Sequence, residues 1–160
     1  MPAPLLPIDK ILALLADHPA RIAAATTHLS EEQLRAEPGE GQWSACAILA
    51  HLRSCADMWG GGIAEIVRLD HPTIKALNPR TWILQTDYLE QDFRPAFAEY
   101  AKQREDLLAG LRALSPEGWQ RAGLVVGAGK PIVRTVQFYA DWLAGHERAH
   151  VKEIERIAKQ

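Results

Sequence analysis

His146 and His150 lie four residues apart, one turn from each other wherever that segment is helical. Two imidazoles stacked on one rigid face can ligate a single divalent ion. One inward histidine is usually a core residue satisfied by a hydrogen bond; two stacked ones each bring a polar ring that needs a partner. A stable site needs a third donor. His51 is the candidate, at the edge of an apolar stripe and one turn before Cys55. Three neutral imidazoles leave one or two positions for water or substrate, the mark of a catalytic rather than a structural metal site. His18, His28 and His71 sit beside loops or helix breakers and read as surface histidines.

The elements that must carry these residues read as helices. A first helical region runs from about Ile8 to Thr27, with Ile11, Leu14, Leu15, Ile22 and Ala25 apolar. Pro19 is expected to interrupt or kink it, because proline has no amide donor. Ser30-Glu31-Glu32-Gln33 has capping-box spacing, and Pro38-Gly39-Glu40-Gly41 is a loop. Ser44 caps a second helix reaching about Leu69, striped by Ile48, Leu52, Cys55, Trp59, Ile63 and Ile66. Gly60-Gly61-Gly62 weakens its centre and marks either a close helix approach or a break.

Asp70 to Gln91 reads as a long connection, with His71-Pro72 and Asn78-Pro79 as breakers. Asp92 then caps a third helix whose buried face is Phe93, Phe97, Tyr100, Leu107, Leu111 and Leu114. A glycine-rich loop from Gly123 to Gly129 leads to a fourth helix, about Ile132 to Ala158. The expected fold is all-α: a four-helix bundle with a long crossover between helices two and three, in a single domain over residues 1–160.

On the fourth helix, Ile132, Val136, Tyr139, Leu143, Ile154 and Ile157 share a face with His146 and His150 at its middle. Tyr139 and Trp142 precede His146 and are candidate pocket walls, as is Cys55 beside His51, although a small buried hydrophobe is the plainer account of that cysteine. His146-Glu147-Arg148-Ala149-His150 also matches the zinc-protease pattern H-E-x-x-H. Such enzymes draw a third ligand from well downstream, and the ten residues after His150 hold no histidine, so the protease reading is set aside. Glu147 projects to the helix flank and reads as a solvated carboxylate. Arg104 falls inside the apolar stripe of the third helix; it is expected to snorkel to solvent or to pair with a carboxylate such as Glu153, the sharper alternative being an anion clamp facing the metal pocket.

Composition narrows the partners. A net charge of -2 with 48% apolar residues fits a globular protein without the basic patch of a nucleic-acid binder. No apolar run approaches membrane-spanning length, and Met-Pro-Ala-Pro-Leu-Leu-Pro lacks the flank and run of a secretory signal. Cys46 and Cys55 fall on opposite faces of one helix, too far apart to pair. A reduced, cytoplasmic protein is expected.

Gln42-Trp43-Ser44, Ile48-Leu49-Ala50-His51-Leu52 and the run from His146 to Ile154 together resemble the DinB-like superfamily. That group is named for a DNA-damage-inducible protein and includes bacillithiol transferase-like and metal-dependent hydrolase members. Leu29-Ser30-Glu31-Glu32-Gln33-Leu34 and the proline-containing loop before Trp43 fit the same pattern, so the resemblance covers nearly the whole chain. It implies a nickel- or zinc-type site on His51, His146 and His150, and commonly a homodimer. Members often carry glutamine three residues after the last histidine. Glu153 stands there in this chain, which leaves open whether the position orients a ligand or adds one.

Three functional readings follow. In the first, a divalent metal ion activates a thiol or a water for attack on a small-molecule substrate, making the protein a thiol S-transferase or a hydrolase. In the second, the same centre serves a non-catalytic metal- or ligand-binding module. In the third, the bundle is metal-free. Imidazole suits zinc, nickel, copper and iron alike, so the residues do not choose among them.

Overall fold

The computed structural model describes residues 3–160; Met1 and Pro2, part of the segment read for a targeting signal, lie outside it. Helix α1 spans Ile8–Thr26 and passes through Pro19 without a break, so of the expected interruption or kink the interruption does not occur. The carbonyl that Pro19 cannot serve, that of Leu15, accepts instead from Arg104 Nη1 at 2.9 Å. A short helix α2, Glu31–Arg35, opens with the reciprocal capping box: Ser30 accepts from the Gln33 amide, and the Gln33 side chain accepts from the Ser30 amide. Helix α3, Ala45–Arg68, is capped by Ser44, which accepts from the Ala47 amide. It runs unbroken through the three glycines. Only Gly62 faces a neighbour, the Tyr139 ring; Gly60 and Gly61 face open space.

The long connection after α3 holds strand β1 (Thr73–Lys75) and a short helix α4 (Pro79–Trp82) capped by Asn78. Helix α5 follows at Phe93–Arg112. Asp92 occupies the position before it but makes no capping bond. The Glu31 carboxylate takes that role from α2, accepting from the amides of Phe93 and Arg94.

A single-turn helix α6 (Pro116–Trp119) leads into a hairpin of β2 (Ala122–Val126) and β3 (Ile132–Thr135). Gly127 and Gly129, both at positive φ, supply the turn. β1 pairs parallel to β2, giving a three-stranded sheet in the order β1-β2-β3. The molecule is therefore mostly helical but not all-α. The segment read as a glycine-rich loop is mainly strand, because Leu124-Val125-Val126 and Ile132-Val133 are apolar and rich in β-branched residues that find partners in each other and in β1. Helix α7 consequently starts four residues later than expected, at Val136–Ala158, capped by Thr135.

The four long helices form the bundle: α7 packs on α1 and α3, and α5 packs on the same two. Two apolar clusters fill it. One contains Ile11, Leu15, Cys55, Ile63, Leu108, Tyr139 and Leu143; the other contains Ile22, Ile48, Leu52, Phe93, Tyr100, Val151 and Ile154. On each helix the boundary between the clusters is marked by polar residues: His18 on α1, His51 on α3, Arg104 on α5, and His146 and Glu147 on α7. No helix among the described residues is long and apolar enough to cross a membrane.

Candidate metal centre

The centre lies where α3 faces α7, at the level of that polar boundary. The Ser44 cap fixes the start of α3 and so the azimuth of His51, seven residues on; the Thr135 cap does the same for α7. His51 is buried, while His146 and His150 are half-buried at the edge of their helix face. The centre of that face belongs to Glu147, which is fully buried. The three imidazole rings are neighbours, but among the described residues the donor atoms that converge are those of His51, His146 and Cys55, and His150 is not one of that group. The ring centroids stand 5.2 Å apart for His51–His146, 5.0 Å for His51–His150 and 4.8 Å for His146–His150. The Nε2 atoms of His51 and His146 face one another at 3.0 Å.

Cys55 joins them from one turn along α3, with Sγ at 3.5 Å from His51 Nε2 and 3.6 Å from His146 Nε2. The donor atoms of His51, Cys55 and His146 all lie within 4.8 Å of one another. This arrangement fits one metal ion. Nitrogens bound at about 2.1 Å on one ion stand roughly 3.0–3.4 Å from each other, and roughly 3.1–3.6 Å from a sulfur bound at about 2.3 Å. Glu153 Oε1 comes to 3.2 Å from His150 Nδ1 but is not aligned for a hydrogen bond, so among the described residues this buried Nδ1 has no hydrogen-bond partner.

The electrostatics keep the two facing imidazoles unprotonated, as a metal needs them. Burial, then the two other histidines and the Arg80 cation, presses the His51 imidazole down to about 4. Burial and His150 push His146 in the same direction. Both rings are therefore neutral at pH 7, the form that ligates a cation. Burial raises the Cys55 thiol to about 12, with the Glu147 carboxylate adding to it.

Tryptophans wall the centre. Trp43 lies 5.1 Å from the His51 ring and stacks on His150 at 6.2 Å. Trp59 meets His146 edge-on at 5.4 Å, and the half-exposed Trp142 stacks on the same ring at 6.5 Å. Tyr139 is placed elsewhere, against Gly62 and Phe138 in the core. Arg80 holds its guanidinium 5.3 Å over the Trp43 ring at the rim.

Behind the histidines lies a buried polar knot that sequence reasoning misplaced. Glu147 is not a solvated flank residue. It accepts from Arg104 Nη2 at 2.5 Å, from the Tyr100 hydroxyl at 3.0 Å and from His18 Nδ1 at 3.1 Å. His18 is fully buried rather than on the surface, and Arg104 pairs with Glu147 rather than with Glu153. A carboxylate engaged by three donors and turned away from the imidazoles is not placed to act as the base of a zinc protease. The one available signal was indirect: an arginine inside the apolar stripe of α5 needs a buried acid somewhere.

Comparison with known proteins places the architecture. The solved structure of YfiT from Bacillus subtilis, described as a probable metal-dependent hydrolase with an unusual four-helix bundle topology, is similar in fold. The TM-score is 0.73 at 21% identity, over 98% of this chain and 91% of that one. No curated protein matches the chain. The family profile of the DinB superfamily matches residues 14–154, nearly the whole molecule, and the chain belongs to that superfamily.

Proposed function

We propose that the protein is a metal-dependent enzyme that holds one nickel or zinc ion on His51, His146 and His150 and acts on a small-molecule substrate. The observation that carries this reading is the convergence of three imidazole rings, from two helices, to within 5.2 Å of one another. A bound divalent ion would supply Lewis acidity and would lower the pKa of a coordinated water or thiol. The chain's own residues do the rest. Trp43, Trp59 and Trp142 exclude bulk water from the rings and shape an apolar rim. Glu153 carries negative charge to His150 Nδ1, which favours presenting Nε2 to the centre. The Arg104–Glu147 pair fixes the helix face between the two α7 histidines.

Hydrolysis is the leading chemistry, supported by the description of YfiT. Transfer of a low-molecular-weight thiol is the competitor, through the resemblance to transferase members of the superfamily. A homodimer belongs to the same reading, supported by exposed apolar residues such as Leu77 and Leu84 on the connection. The test is elemental analysis of the purified protein, with turnover of ester, amide and thiol-plus-electrophile panels before and after chelation. Metal at one ion per chain with chelator-sensitive turnover supports the enzyme. Metal without turnover on any panel leaves a binding module, and full metal retention in His146→Ala removes that residue from the site.

A further inference from the structure

We propose that Cys55 is a fourth protein ligand, so that an ion at this centre is bound by one thiolate together with the imidazoles. This rests on the metal-centre reading above and deepens it. The plain alternative, a cysteine serving only as a small apolar filler, asks nothing of the atoms around its sulfur. Here Sγ lies against two ring nitrogens, at 3.5 and 3.6 Å, while those nitrogens stand 3.0 Å from each other. These three distances are the edges expected of one sulfur and two nitrogens on a common ion, roughly 3.1–3.6 Å and 3.0–3.4 Å respectively. The side chain sits one turn from His51 on the same rigid helix, and it is fully buried. Water therefore does not compete for the sulfur.

The chemistry has consequences. On binding, the Cys55 S–H bond breaks, the electron pair stays on sulfur to form the sulfur–metal bond, and the proton leaves to the buffer. One thiolate lowers the formal charge of the centre from that of three neutral imidazoles by one unit. It also turns selection towards zinc, cobalt and nickel and away from magnesium, calcium and manganese.

The experiment is cobalt(II) titration of the metal-free full-length protein, followed by absorption from the near ultraviolet through the visible. Cobalt reports imidazole ligation by its visible bands and thiolate ligation by a separate charge-transfer band in the near ultraviolet. The wild type and Cys46→Ser are expected to show both, at one ion per chain; Cys46 lies in the other apolar cluster. Cys55→Ala and Cys55→Ser are expected to keep the visible bands, lose the charge-transfer band and bind cobalt at least about tenfold more weakly. A cobalt-loaded wild type without the charge-transfer band overturns the proposal whether or not the variants fold, and so does an identical spectrum in Cys55→Ala. Failure of the wild type to bind cobalt or zinc at all overturns the metal centre itself, a different result from metal bound without sulfur.

Discussion

Arg104 supplies to α1 the hydrogen-bond donor that Pro19 lacks. Its Nη1 reaches the Leu15 carbonyl at 2.9 Å, the acceptor an ordinary residue at position 19 would satisfy from its own amide. The Nη2 of the same guanidinium holds Glu147 at 2.5 Å. One buried cation thus repairs a helix on one side of the bundle and anchors, on the other, the residue next to His146.

Arg104→Met keeps most of the aliphatic stem but takes the donor from the Leu15 carbonyl and the cation from Glu147, which keeps only Tyr100 and His18. Breaking a buried pair in this way costs about 3–5 kcal/mol. Pro19→Ala restores an amide to α1, so it should recover about 1 kcal/mol more in the Arg104→Met background than in the wild type. Urea denaturation of the four proteins closes the cycle. Additive effects would show that Arg104 and Pro19 are not coupled through that carbonyl.

The pH dependence of the metal-free protein should show two separate losses on acidification. His51, held at about 4 by burial, the other histidines and Arg80, titrates near 6.5 once unfolded. Between those values the unfolded chain binds more protons, so stability is full above the upper value and falls as pH drops towards the lower, by roughly 2 kcal/mol. Burial works to raise Glu147, but Arg104 and His18 outweigh it and hold the carboxylate below its usual range. Its contribution is present above the unfolded carboxylate value near 4.3 and is lost as pH falls further. Denaturation midpoints measured from pH 8 to 3 read both. His51→Ala should reduce the upper loss, to which His146, also held down by burial, still contributes, and should leave the lower one; an unchanged upper loss in that variant contradicts the assignment.

What could be read from the sequence was whatever short-range pattern encodes. Ser44 and the Ser30–Gln33 box declare helix starts within four residues, and the four-residue step of His146 and His150 declares a shared side of α7. Bringing His51 to them also follows, because each lies on or beside an apolar stripe that has to be buried. The polar knot was hidden because its members are 129 residues apart for His18 and Glu147, and 43 for Arg104 and Glu147. A histidine beside a proline and a glutamate beside a ligand each look solvent-facing until the fold sets them against one another and α5 brings Arg104 to the glutamate. The sheet escaped for a similar reason. β1 is three residues long and pairs with residues 124–126, so no local alternation is long enough to identify it.

The glycines in the middle of α3 should be replaceable. An added Cβ at Gly60 or Gly61 meets nothing within 4 Å and enters the cavity of about 510 Å³ between α3 and α5. Each Gly→Ala change there should stabilise the protein by about 0.5–1 kcal/mol through helix propensity and lost unfolded-state freedom. At Gly62 the Tyr139 ring stands 3.5 Å from the added carbon, so alanine fits but a branched side chain does not. Thermal melts of the three alanine variants and Gly62→Val check this. Loss of stability in Gly60→Ala would reveal a contact this arrangement lacks.

Metal should stabilise the folded chain, because only folding brings His51 from α3 to the α7 histidines. An ion at 100 times its dissociation constant adds about 2.7 kcal/mol when it binds the folded state alone. For a chain of 160 residues that is a rise of roughly 5–10 °C in melting temperature. Chelation should remove it, and excess nickel or zinc should restore it. His51→Ala and His146→Ala each take one member from the facing nitrogen pair and should melt at the same temperature with and without metal. His28→Ala changes an exposed histidine whose ring approaches the Ala158 carbonyl, away from the centre, so it should keep the full shift. If His28→Ala lost the shift along with the other two, the stabilisation would be coming from scattered surface histidines and not from a built centre. A wild-type melting temperature indifferent to nickel, zinc and chelator alike would mean that three imidazole rings can gather between two helices without an ion to hold them.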